Sequence, residues 1–117
     1  MKQNKKIWAV LVHLSMHMWN KTYDELPFDD SMWDYILNES VKSGVNTIVL
    51  DVGDGIQFAS HPEIAIKGAW RRKRVREEVK RCKELGIELI PKLNFATPHD
   101  KWLGEYARMV STSIYYR

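Results

Sequence analysis

The chain has 117 residues, of which 44% are hydrophobic and 28% charged, with a formal net charge of +3. This length fits one small domain that can bury a core, and no apolar segment is long enough to cross a membrane. The single cysteine, Cys82, excludes an internal disulfide and a multi-cysteine zinc site.

The first predicted element is a buried strand from Ile7 to about Leu14. Its near-continuous apolar run is typical of a parallel strand that is covered on both faces. Because lysines precede this apolar run, the first residues of the chain superficially resemble a signal peptide. However, His13 and His17 interrupt the apolar run and no small-residue cleavage site follows, so we expect no signal peptide and, by default, a cytoplasmic location.

A helix and a second strand follow. Asp29, Asp30 and Ser31 are candidate N-caps of the helix, and Gly44 is a natural C-terminal stop. One helix face is predicted to be buried because its members recur at close to 3.6-residue spacing. These members are Met32, Trp33, Ile36, Leu37, Ser40 and Val41. Strand two then covers about residues 46–52.

The connection after strand two is long, from Gly53 to about Ala69. Connections of this length in a compact domain are usually functional loops or disordered. The second helix covers roughly residues 70–85 and ends at Gly86, and strand three follows directly. A further short helix is predicted over residues 101–109.

The predicted order is βαβαβα, which is the pattern of a parallel sheet or a (β/α) barrel. A complete TIM barrel takes about 250 residues, so this length gives about three strands and two to three helices. We therefore expect residues 1–117 to form one incomplete (β/α) barrel domain. A doubly wound sheet remains possible, although no G-x-G-x-x-G motif follows any strand.

Polar residues are predicted at the carboxyl ends of the strands, where such folds carry their functional sites. Because side chains alternate along a strand, Asp51, Lys92 and Asn94 should point into a barrel-like interior. Asp51 and Lys92 lie on adjacent strands and are expected to form an ion pair, and the same alternation brings His13 and Ser15 to them from strand one. The cluster is either the floor of a polar pocket that holds hydroxyl groups or a satisfied network without a ligand.

Several side chains are candidates for catalysis or sugar contact. Glycoside cleavage needs two carboxyl groups roughly 5–10 Å apart. The available carboxylates are Asp51, Asp54, Asp100 and Glu105. Trp19, Trp70 and Trp102 lie near strand-to-helix connections and are either platforms for a sugar ring or hydrophobic anchors. His13 and His17 are four positions apart, which suits a metal only on a helix, so no metal is expected, and no other cofactor is expected either.

The second helix is strongly basic. Eight basic and three acidic residues lie between Arg71 and Glu84, a local balance of +5. Such a run on a helix can bind nucleic acid. An apolar stripe on the same helix instead predicts a packed outer helix whose basic side chains are solvated. The stripe consists of Val75, Val79, Cys82 and Leu85. We expect no nucleic-acid partner, and binding through residues 71–83 is kept as a weaker alternative.

The segment ELGIELIPKLN at residues 84–94, followed by His99, resembles the third-strand region of β-hexosaminidase-like and related (β/α)₈ glycoside hydrolases. In that family the pattern GI-x-hydrophobic-IPE-hydrophobic-D…H lines the sugar site. Here Lys92 stands in place of the acid, Asn94 in place of the aspartate, and His99 comes one residue late. The family's catalytic acidic pair follows the fourth strand. The resemblance therefore implies the amino-terminal piece of a sugar-processing barrel without that pair.

We thus expect the chain to contribute to a carbohydrate-binding site of a glycoside-hydrolase-like barrel without being catalytically complete alone. The predicted carbohydrate contacts are Asp51, Lys92, Asn94, His99, Asp100, His13 and Trp102. Hydrolysis would require complementing strands from a longer chain or another subunit. The alternative is a non-catalytic interaction module, because an open sheet with exposed edges and a half-covered apolar face favours self-association into a homo-oligomer.

Overall fold

The computed structural model describes residues 5–17 and 21–93. Strands and helices alternate over these residues, as predicted. The elements are β1 (Ala9–His13), α1 (Asp30–Lys42), β2 (Thr47–Asp51), a 3₁₀ turn (Pro62–Ile64), α2 (Arg72–Glu84) and β3 (Glu88–Lys92). The helix predicted over residues 101–109 lies outside the described residues. In the part of the chain that is described, no helix has the length and apolar character needed to cross a bilayer.

The three strands form one parallel sheet in the order β1–β2–β3. Their register places His13 beside Asp51 and Asp51 beside Lys92. Because parallel strands run in the same direction, their carboxyl ends meet at one edge of the sheet. The last residues of β1, β2 and β3 therefore form a single row across that edge.

The helix ends follow from local sequence. The Asp29 carboxylate caps α1 by accepting from the backbone N–H of Ser31 at 2.9 Å and of Met32 at 3.2 Å. Hydrogen bonds to this carboxylate lower the pKa of Asp29; the bond from the Ser31 hydroxyl has the largest effect, and the two backbone amides add to it. After α1 and α2, Gly44 and Gly86 adopt left-handed conformations with φ of 79° and 76°. Both predicted glycine stops are confirmed.

Both helices pack on one face of the sheet and share one core. Trp33 and Leu37 of α1 and Cys82 of α2 are buried together with Ile48 and Leu50 of β2. The predicted alternation in β2 is confirmed, since its even-numbered residues face the helices. Burial, assisted by the charge of nearby Glu78, raises the pKa of the Cys82 thiol to about 11.

Parts of the predicted packing are wrong. Strand β1 is not covered on both faces, because Leu11 is 53% exposed. A continuous apolar run fits a fully buried strand, but over residues 5–17 and 21–93 helices cover one face of the sheet and not the other. Met32 and Val41 lie at the margins of the α1 stripe and are exposed, as is Val79 of α2. Each stripe is therefore narrower than its spacing predicted.

A buried carboxylate joins the two helices. Glu78 of α2 accepts hydrogen bonds from the Trp33 indole N–H at 3.0 Å and from Arg74 Nε at 2.7 Å. Arg74 also contacts Asp30 of α1 at 2.9 Å. Arg81 of α2 likewise contacts an α1 carboxylate, that of Asp34, at 2.7 Å. Two members of the basic run thus link the helices.

Trp70 is an anchor of the connection that precedes α2. It is buried, and its ring centroid lies 5.5 Å from that of Phe28 and 6.2 Å from that of Trp33. The Arg74 guanidinium covers the ring at 4.5 Å from its centroid. A sugar ring has no access to this face, so the platform interpretation of Trp70 is wrong. Trp19 and Trp102 lie outside the described residues.

Candidate functional site

The candidate site is the row of side chains at the carboxyl edge of the sheet. His13 Nδ1 lies 3.0 Å from Asp51 Oδ2, and Lys92 Nζ lies 3.6 Å from the same oxygen. The Asp51 side chain is 2% exposed, whereas those of His13 and Lys92 are 40% exposed. The predicted meeting of these three side chains, including the ion pair, is confirmed. We call them the edge row.

The chemistry of the edge row is set by its central carboxylate. An ionised carboxylate only accepts hydrogen bonds, so the proton between Asp51 and His13 belongs to Nδ1 of the imidazole. The Lys92 ammonium compensates the negative charge of the buried Asp51, which offsets part of the cost of removing that charge from water. The row therefore presents two half-exposed nitrogen groups held by one buried anion.

A second polar network lies just beyond the strand ends. The Ser15 hydroxyl donates to Asp54 Oδ1, and His17 Nε2 lies 2.9 Å from Asp54 Oδ2. The backbone N–H of Tyr23 donates to His17 Nδ1 at 3.0 Å. Since Nδ1 accepts, the ring proton resides on Nε2 and is donated to Asp54. Ser15, His17 and Asp54 are all buried, so this network fixes the loop after β1 to the loop after β2.

Gly55 explains why the loop after β2 lies so close to β1. A Cβ atom at this position would stand 2.8 Å from Leu14 Cγ, 2.9 Å from the Val52 carbonyl oxygen and 3.0 Å from Ser15 Cβ. The backbone of Gly55 is therefore pressed against the end of β1, and only glycine fits. This close approach places the neighbouring Asp54 within reach of its partners.

The long connection between β2 and α2 is hydrogen-bonded to its surroundings. The Ile66 N–H donates to the Asp54 carbonyl at 2.9 Å, and the Leu26 N–H donates to the Lys67 carbonyl at 2.9 Å. The connection thus pairs with the segment that precedes α1. The connection is therefore structured rather than disordered, and its functional role stays a prediction.

The predicted site residues divide into three groups. His13, Asp51 and Lys92 come together. Ser15 was expected beside them but instead binds Asp54, because the chain leaves the strand geometry after His13 and alternation no longer applies. Asp54, another candidate carboxylate, lies in that second network. The candidates outside the described residues are Trp19, Asn94, His99, Asp100, Trp102 and Glu105.

Sequence reasoning missed the pairing of His17 with Asp54. His17 was considered as an interruption of the apolar run and as a metal ligand with His13, but not as a hydrogen-bond partner of a carboxylate. The partner is 37 positions away and belongs to a loop, so neither helical nor strand periodicity indicates it. Over residues 5–17 and 21–93, no group of three or more His, Cys, Asp or Glu side chains has an arrangement that fits a metal ion.

The edge row is suited to hydroxyl groups. The Lys92 ammonium donates hydrogen bonds, and the outer nitrogen of His13, with Nδ1 protonated, accepts them.

Compared with models of known protein families and with curated proteins, the chain has no match.

Proposed function

We propose that the edge row is part of the wall of a carbohydrate-binding site, and that the chain is the amino-terminal part of a glycoside-hydrolase-like (β/α) barrel. The observation that carries the proposal is the meeting of His13, Asp51 and Lys92 from three adjacent parallel strands. Sites of (β/α) barrels are built from several strands at this end. A sugar presents several hydroxyl groups, which suit donors and acceptors fixed in this way.

The open face of the sheet supports the barrel. Below the edge row, Leu11, Val49 and Ile90 stand in register across the three strands. In a (β/α) barrel, the strand faces opposite the helices fill the interior in layers of branched apolar side chains. A polar layer at the carboxyl end above an apolar layer is the arrangement expected of such an interior.

Asp51 and Asp54, the two candidate carboxylates among the described residues, are not placed as a glycosidase pair. Asp51 and Asp54 are both buried, and each is hydrogen-bonded to a histidine. A general acid and its partner must instead face the scissile bond from two sides. We therefore propose binding without hydrolysis for this chain alone, which agrees with the position of the catalytic pair in the family it resembles.

Calorimetric titration with neutral monosaccharides and their short oligomers tests the proposal. The wild-type chain is expected to bind at least one sugar of the panel. Lys92→Met and His13→Phe should each weaken that binding, since each removes a polar contact and leaves the helix-facing core intact. Lys80→Met, on the exposed surface of α2, is the control. Absence of binding, or equal affinity in all variants, would contradict the proposal.

Self-association is a second candidate function, favoured by the exposed apolar face. Leu11 is 53% and Ile90 39% exposed, and Ile7 and Trp8, just before β1, are more exposed still. Apolar side chains in register on a sheet face are a surface that a second copy can cover. Sedimentation velocity should then show concentration-dependent dimers that Leu11→Thr abolishes. A well-folded monomer at every concentration would exclude this function.

Nucleic-acid binding through α2 has weaker support. Arg74 and Arg81 are directed towards acidic residues of α1, so the basic face is smaller than the sequence suggested. If α2 binds nucleic acid, the affinity must fall steeply with salt concentration. Salt-insensitive or absent binding would exclude it.

A further inference from the structure

The two ring nitrogens of His13 have different surroundings. Nδ1 faces the buried Asp51 carboxylate at 3.0 Å. Over residues 5–17 and 21–93, no group hydrogen-bonds to Nε2. The side chain is 40% exposed at the carboxyl edge of the sheet, and Nδ1 is the ring nitrogen that faces the buried carboxylate.

This arrangement gives Nε2 the properties of a base. With the proton fixed on Nδ1 by Asp51, the lone pair of the neutral ring resides on Nε2. When Nε2 takes up a second proton, the imidazolium is stabilised by the adjacent carboxylate, as in other carboxylate–histidine pairs. Lys92, on the other side of Asp51, adds a positive charge to the same edge of the sheet.

His17 shows the contrast within the same chain. It is also bonded to a carboxylate, but it is buried and both of its ring nitrogens make hydrogen bonds, to Asp54 and to the Tyr23 amide. Neither nitrogen is available to a ligand. Of these two carboxylate–histidine pairs, only that of His13 is oriented for chemistry at the site.

We propose that His13 is the acid–base group of this site and that Asp51 is its positioning residue. The ligand class rests on the proposed function, because the proton comes from a hydroxyl group of a bound sugar. In the step, the O–H bond of the ligand breaks and an N–H bond forms at Nε2, while the oxygen keeps the electron pair. The imidazolium then lies beside Asp51, and the Lys92 ammonium adds positive charge to the same edge of the sheet. Return of the proton reverses the step.

The tautomer of His13 tests the positioning role. Long-range ¹H–¹⁵N spectra of the wild-type chain should show the neutral ring protonated on Nδ1. In Asp51→Asn the amide no longer enforces this form, and the ring should shift to protonation on Nε2. Lys92→Met, which keeps the carboxylate, should retain the wild-type tautomer. A wild-type ring protonated on Nε2 would overturn the proposal, whether or not the variants fold.

Acylation by diethyl pyrocarbonate tests the reactivity of Nε2. Peptide mapping by mass spectrometry should find His13 modified and His17 unmodified in the folded chain. The rate of acylation at His13 should fall by about an order of magnitude in Asp51→Asn, because the carboxylate no longer holds the ring in the form with a lone pair on Nε2. Exposed His61 is the internal control and should react at the same rate in both chains. An unreactive His13, or equal rates at His13 in the two chains, would overturn the proposal.

Protection by a ligand separates this proposal from the proposed function. A sugar that binds in calorimetry should slow the modification of His13 and leave that of His61 unchanged. If the sugar binds without protecting His13, the acid–base role is wrong while carbohydrate binding stands. If no sugar of the panel binds, the proposed function is wrong, and the tautomer and acylation results still decide whether Asp51 orients a reactive His13.

Discussion

Buried carboxylates determine much of this structure at the scale of single residues. Asp51 and Asp54 organise the carboxyl edge of the sheet, and Glu78 organises the contact between the helices. Each lies within hydrogen-bond distance of a side-chain nitrogen that belongs to another element. A carboxylate removed from water is costly unless it is paired in this way. These residues are therefore sensitive positions, in contrast to carboxylates on exposed surfaces.

Replacing Glu78 by alanine tests this view. The change leaves Arg74 without one buried partner and the Trp33 indole N–H without its acceptor. Breaking a buried, hydrogen-bonded pair in this way typically costs about 3–5 kcal/mol. Glu77→Ala is the matched control on the same helix, since Glu77 is 57% exposed and 3.9 Å from Lys73, and it should change stability by less than about 0.5 kcal/mol. Urea unfolding measures the free energy of unfolding of both variants. Equal losses in the two variants would contradict a stabilising role for the buried Glu78 carboxylate.

Cys82 predicts a specific loss of stability at high pH. Burial raises the pKa of its thiol from 9.0 to about 11 in the folded chain. The unfolded chain therefore loses this proton first, and unfolding becomes more favourable as the pH rises from about 9 to about 11. The contribution is fully present below about pH 9. Cys82→Ala should show a shallower decline of the free energy of unfolding over this window, and identical slopes would contradict the shift.

At the scale of elements, the repeat of helix, glycine and strand explains why the strand order was predictable. Gly44 and Gly86 end their helices in the left-handed conformation, and alternation within each strand divides helix-facing from open-face residues. These are local rules, so one sequence is enough to apply them. The same alternation correctly placed His13, Asp51 and Lys92 together.

Helical spacing and strand alternation do not predict contacts between loops or the partners of buried charged residues. The Ser15–Asp54–His17 network joins two loops, and its existence depends on the close approach at Gly55. Glu78 is buried although it lies in the most charged segment of the chain, because Trp33 and Arg74 supply its partners from the three-dimensional packing. Helical spacing places Glu78 on the same face as Val75 and Cys82, but it does not identify the Trp33 indole that satisfies the carboxylate there.

Gly55→Ala tests how the loop after β2 is held. The new Cβ would stand under 3 Å from Leu14, so the loop must shift, at a cost of about 1–3 kcal/mol. The hydrogen bond between Asp54 and His17 should then break. The hydrogen of the Tyr23 amide, which donates to His17, should exchange with solvent faster.

Gly44→Ala is the control for Gly55→Ala. At Gly44 nothing lies within 4 Å of an added Cβ, and the cost comes only from the positive φ, about 1 kcal/mol. Hydrogen exchange at the Tyr23 amide should be unchanged in this variant. If the Tyr23 amide exchanged faster in both variants, or in neither, the proposed dependence of the Ser15–Asp54–His17 network on Gly55 would be wrong.

On the scale of the whole molecule, the described residues form a sheet with helices on one face and exposed apolar side chains on the other. Apolar periodicity indicates which side chains avoid water, but not which second surface covers them. That is why β1 was predicted to be covered on both faces although Leu11 is exposed. In the proposed barrel, further strands would curve this face into an interior and place the edge row at its mouth.

The proposal that a sugar binds at the edge row can be tested by an ¹⁵N–¹H correlation spectrum recorded during sugar titration. With the sugar panel used for calorimetry, we predict saturable shift changes at the amides of His13, Asp51 and Lys92. The outer face of α2, including Lys80, should stay unchanged. Shifts confined to α2 or to the open apolar face, or no shifts at all, would contradict a carbohydrate site at the carboxyl edge of the sheet.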